Sequence, residues 1–175
     1  MALHGYVNTM HTMSWDVDAC NMAGVANTDL DNGVMVTLSK VNQDTKSVIK
    51  GFEYQVAPAQ EESTQVWVVA SPEVGSTLEQ QLLADPRQFY NAKGKAMSIK
   101  ALVPGIDVIE VTKECFVGGT MPTATNNKVK IGANGKLVAA AAAPGAGAYF
   151  TFEGFHTVTI GMEEVQTAVL RCARN

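Results

Sequence analysis

Residues 128–141 read KVKIGANGKLVAAA, and this stretch decides the fold. Val129 and Ile131 alternate with lysines ahead of Asn134-Gly135, and Leu137 opens a second apolar run behind it. An Asn-Gly step tolerates positive φ and so folds the chain back into an antiparallel hairpin. The alanines from Ala139 to Ala143 would suit a helix, but Pro144 and Gly145 follow at once. A helical turn this short is unstable by itself, so the alanines read as a packed strand running into a PGAGA loop.

The same cadence recurs on either side. LDNGVMVTLS (30–39) is a turn entering a strand in which Val34, Val36 and Leu38 alternate. GFEYQVAP (51–58) places Phe52, Tyr54 and Val56 on one face, and QVWVVASPEVG (65–75) carries an apolar run from Val66 to Ala70 that suits a strand buried on both faces. AMSIKALVPGIDVIEVT (96–112) gives two strands around Pro104-Gly105, the first alternating Met97, Ile99 and Ala101. In the second, Ile106, Val108 and Glu110 oppose Ile109 and Val111. AYFTFEGFHTVTI (148–160) changes phase at Gly154, which predicts a β-bulge there. QTAVLRCAR (166–174) is a strand with Ala168, Leu170 and Cys172 on one face. One short helix is expected at Thr77–Ala84, with Ser76 as N-cap and Glu79 completing a capping box. Val, Ile and Thr number 21, 6 and 15 against nine Leu, a balance that favours pleated strands over helices. The expected class is all-β: a short-stranded β-sandwich or barrel with one short helix and an N-terminal arm.

Three stretches follow from this reading. Residues 1–23 lack a sustained period and read as an arm that orders either on a partner or back on its own domain. Its large side chains, Tyr6, Met10, Met13 and Trp15, are the candidate partner contacts. Residues 24–117 form a β core. Residues 118–175 form a C-terminal hairpin and strand region beyond the linker-like GGTMPTATNN (118–127), packed on the core or standing as a small subdomain.

Few chemistries fit. Thirteen Lys and Arg against seventeen Asp and Glu leave a net charge of −4, so no basic field is available for nucleic acid. The apolar runs are too short for a membrane-spanning helix, and the N-terminus lacks the pattern of a signal peptide. Neither nucleic acid nor membrane is an expected partner. Cys20, Cys115 and Cys172 are odd in number and widely spaced, and read as buried thiols. His4, His11 and His156 match no structural zinc spacing. The neighbours Glu61-Glu62 and Glu163-Glu164 point to opposite faces of an extended chain, and Asp16/Asp18 and Asp29/Asp31 lack the fuller ladder of a calcium loop. No phosphate-binding loop or nucleophile elbow occurs. Trp15 and Trp67 are the candidates for a sugar platform, although Trp67 sits within VWVV and reads as core. The expectation is a non-enzyme with no catalytic residue, metal or cofactor.

FYNAKGKAMSIKALVPGIDVIEVTKECF (89–116) resembles the middle of the small head decoration proteins of tailed bacteriophages, and LDNGVMVTL (30–38) is similar to their early turn and strand. Over residues 24–116 the likeness is one of cadence. The chain departs from it in having Ile106 where the pattern places Asp, with Asp107 one position later. The resemblance implies a cement protein made in the host cytoplasm and added to the capsid exterior. Its partner there would be the major capsid protein, with self-association as an open alternative. Another virion subunit, such as a tail-tube protein, and a carbohydrate-binding β-module are the competing readings.

Overall fold

The computed structural model describes residues 3–41, 53–73 and 85–175. The expected helix at Thr77–Ala84 and the side chain of Phe52 lie outside them. Eleven strands are described: β1 (Val7–His11), β2 (Asn21–Ala26), β3 (Met35–Val41), β4 (Glu53–Pro58), β5 (Trp67–Val69), β6 (Ala96–Ala101), β7 (Val108–Val111), β8 (Lys128–Ile131), β9 (Leu137–Ala140), β10 (Tyr149–Ile160) and β11 (Glu163–Arg174). Five close a barrel in the order β2-β4-β3-β5-β6, and six form an antiparallel sheet in the order β1-β7-β11-β10-β8-β9. Within the barrel only β2 and β4 run parallel. The all-β class is therefore observed, as a barrel joined to a sheet.

Burial explains the continuous apolar runs. Side chains alternate across a strand, and in β3 Val36 enters the barrel interior while Met35 packs into the core it shares with the sheet. β5 repeats the arrangement, Val69 facing the barrel and Val68 the shared core. Ile109, Val111, Val129, Phe150, Ala168, Leu170 and Cys172 complete that core from the sheet side. Both faces are dry at Met35–Val36 of β3 and at Val68–Val69 of β5, so apolar residues run consecutively there.

The 128–141 hairpin forms as read, with β8 paired to β9 from Lys128↔Ala140 to Ile131↔Leu137. Asn134 and Gly135 take φ of 57° and 71° at its turn. The bulge at Gly154 is present as a register shift between Phe152 and Gly154. Only Ala139 and Ala140 of the alanine run stay in the strand.

Residues 1–23 require a correction. They are not without strand: β1 pairs with β7 through Val7↔Val111 and Asn8↔Glu110, and β2 begins at Asn21 and closes the barrel between β4 and β6. The signal is hidden because Thr9, Thr12 and Ser14 are buried but polar, and a register shift between Asn8 and His11 breaks the alternation. The long sheet thus takes strands from each of the stretches 1–23, 24–117 and 118–175.

A Cβ on Gly135 would overlap the Met35 carbonyl oxygen of the barrel, whereas Gly94, with a nearly equal φ of 72°, has nothing within 4 Å. Gly94→Ala therefore carries only the left-handed backbone term, about 1 kcal/mol. Gly135→Ala adds displacement of the hairpin from the barrel and should lose about 3 kcal/mol. Thermal or urea melting of the two variants checks the difference.

Candidate interaction surface

The exposed apolar side chains of the N-terminal stretch stand on a turn that is fixed from beneath. Asp107 is fully buried, and its two carboxylate oxygens accept from the Met13 amide and the Val103 amide, each at 2.8 Å. The Thr12 hydroxyl donates to the Thr9 carbonyl at 2.7 Å and lies 2.7 Å from the Ser14 hydroxyl. Asn21 Nδ2 donates to the Ser14 carbonyl at 2.7 Å. Carboxylate bonds to backbone amides are among the stronger hydrogen bonds, so the 3-10 turn Met13–Trp15 is ordered in the free chain. From it project Met13 (39% exposed), Trp15 (57%) and Val17 (37%), with Met10 (58%) just before it and Ile106 (58%) beside Asp107.

β1 is an end strand of the sheet, yet its bulge is partly capped. Asn8 Oδ1 accepts from the Met10 amide at 3.0 Å, and the Thr9 carbonyl is taken by Thr12. Capping and bulging blunt an edge against strand addition, which leaves side-chain contact as the mode this surface suits.

Beyond Trp15 lies the end of β6. Lys100 pairs with Asn21 on one side and Val68 on the other, and its ammonium sits 5.6 Å from the centre of the Trp15 ring. Burial lowers its pKa, and no ion pair among the described residues involves it. On the β2 side opens a hollow of about 880 Å³ whose lining includes Asp18, Asn21, Met22, Tyr54, Met97 and Ser98. A smaller hollow on the β5 side, about 380 Å³, includes Leu38, Trp67, Leu102 and Pro104.

Of the four expected contacts, Met10, Met13 and Trp15 are presented together, and Tyr6 is not with them. Tyr6 is half-buried on β7: its amide donates to Thr112 Oγ1 and its carbonyl accepts from the Thr112 amide, both at 3.2 Å. Burial first, then the charges of Glu73 and Glu110, raise its phenol pKa. Trp67 is half-buried against the barrel interior, as its run suggested.

The remaining polar groups are dispersed. His4 bonds Asp31 at 2.8 Å and packs on Tyr90, while His156 lies 3.1 Å from the buried Glu110, which Thr167 also approaches. Glu61 pairs with Lys130, and Glu163 joins Asp85 on the buried Arg87. Asn32 is fully buried in a network with Ser71, Glu73 and Asn91. Among the described residues no group of three or more His, Cys, Asp or Glu side chains could hold a metal ion. Sequence reading missed Asp107 and Lys100. Asp107 had one usable signal, a lone acid in the Pro-Gly turn before a strand; Lys100 had none, since it becomes distinctive only when Trp15 covers it.

Comparison with protein-family models, with curated proteins and with solved structures finds no match to this chain.

Burial pushes the thiol pKa of both Cys115 and Cys172 up to about 12 from 9.0, while Cys20 is only half-buried. At neutral pH a thiol reagent should modify Cys20 in the native protein and reach the other two only on unfolding. Above pH 9 the unfolded chain releases thiol protons that the folded chain still holds. Stability should therefore be unaffected by these groups below pH 9 and fall as pH rises toward 12. Mass-resolved labelling and melting across that range test both statements.

Proposed function

We propose that this chain is a structural virion protein that binds the exterior of a phage capsid lattice and stabilises it, with the major capsid protein as its partner. The observation that carries the reading is the pre-ordered apolar surface of Met10, Met13 and Ile106, set on a rigid β scaffold by the buried Asp107. Binding free energy concentrates in a few large side chains held in place before contact, because little conformational entropy is then lost on association. The two stretches that resemble head decoration proteins also meet in space. Leu30 and Asn91 exchange backbone hydrogen bonds of 2.9 and 2.8 Å, which ties the start of 30–38 to the start of 89–116. Function on this reading is binding without catalysis, repeated over a lattice so that several weak joints act together. Its location is the capsid exterior.

The test is co-sedimentation of purified protein with undecorated capsids. Met10→Asp combined with Met13→Asp should weaken attachment at least about tenfold, since Met is enriched in interface cores and a carboxylate in its place would be buried unpaired on binding. The melting temperature should hardly move, because both side chains face solvent. A wild-type chain that fails to sediment with capsids, or a double variant that binds as well as wild type, would refute the reading.

A further inference from the structure

The Trp15 end of the surface carries an arrangement of its own. It presents a projecting indole over Lys100, and Asn21, the strand partner of Lys100, lines an apolar hollow together with Met22, Tyr54 and Met97. It also presents a cation, Lys100, and an exposed acid among the residues that line the hollow, Asp18. Among the described residues, neither Lys100 nor Asp18 has an ion-pair partner in its own chain. Projection and hollow, cation and anion, therefore lie side by side on one patch. A patch that contains both halves of each contact is complementary to itself, which is the requirement of an interface about a twofold axis.

We propose that this patch pairs with a second copy of the chain about a twofold axis, Trp15 of each copy entering the hollow of the other and Lys100 of each facing Asp18 of its partner. An aromatic side chain of this kind buries ~150–250 Å², and symmetry supplies it twice. Trp is also the residue type most often found at the energetic centre of interfaces. The depressed pKa of Lys100 agrees with an ammonium that has lost water without gaining a carboxylate in its own chain. The inference goes beyond the capsid reading and does not depend on it, because it concerns the free chain with no capsid present.

Sedimentation velocity on the free, full-length chain tests the inference in the absence of capsids. Wild type should show a concentration-dependent monomer–dimer equilibrium, and Trp15→Ala should weaken it at least about tenfold. Lys100→Asp and Asp18→Lys should each be monomeric, because each sets like charges opposite one another twice. An equimolar mixture of those two variants should recover the dimer, since both cross-pairs are then of opposite charge. Circular dichroism melts confirm that the variants are folded; Trp15→Ala and Asp18→Lys alter side chains that face solvent. A monomeric wild type, an assembly of any other size, dimerisation unchanged by these substitutions, or a mixture that stays monomeric would overturn the proposal.

Discussion

The burial of β3 at Met35–Val36 and of β5 at Val68–Val69, on both faces, is the constraint from which the rest of the structure follows. A strand segment with one face in the barrel and the other against a sheet can expose no backbone edge or polar side, so it must be paired on both sides and covered on both. Met35 and Val68 supply the outer cover, and Val36 and Val69 the inner one. The Asn134-Gly135 turn is pressed against the Met35 carbonyl, which is why the glycine at that point has no substitute. At roughly 25 cal/mol per Å² of apolar area, the shared core is the main term that joins the barrel and the sheet.

That joining also fixes the surface. β6 belongs to the barrel and β7 to the sheet, and the loop between them must change layers at Val103–Asp107. Asp107 is buried at the change and binds both its own loop and the Met13 amide. One carboxylate thus transmits the rigidity of the core to the turn that lifts Met10, Met13 and Trp15 into solvent. Among the described residues, His4 is paired with Asp31, and Arg87 with Asp85 and Glu163, away from this turn. This distribution supports the proposed reading of recognition by apolar contact.

Local patterns were legible in the sequence wherever one residue's chemistry determines the local geometry. Asn134-Gly135 announces its turn, Gly154 its bulge, and Ala168, Leu170 and Cys172 the buried face of β11. Features that depend on distant pairing were not legible. β1 escapes notice because its buried positions include Thr9 and its register slips beside it. The parallel pairing of β2 with β4, which closes the barrel, leaves no trace in either strand alone. At the surface, Met10, Met13 and Trp15 stood out as large side chains in a polar context, while Tyr6 looked the same and is held on β7 instead. What separates them is Asp107, nearly a hundred residues away, and no local rule connects it with Met13.

The central claim is that the N-terminal turn is ordered by the body of the protein before any partner arrives. Native-state amide hydrogen exchange on the free chain tests it most directly, because protection reports hydrogen bonds that stay closed. The account predicts that the Met13 amide and the paired amides of β1 exchange as slowly as those of β7, and that Asp107→Ala releases the Met13 and Val103 amides while β7 stays protected. Exchange of residues 7–15 at the rate of an unstructured peptide, with β7 still protected, would contradict it.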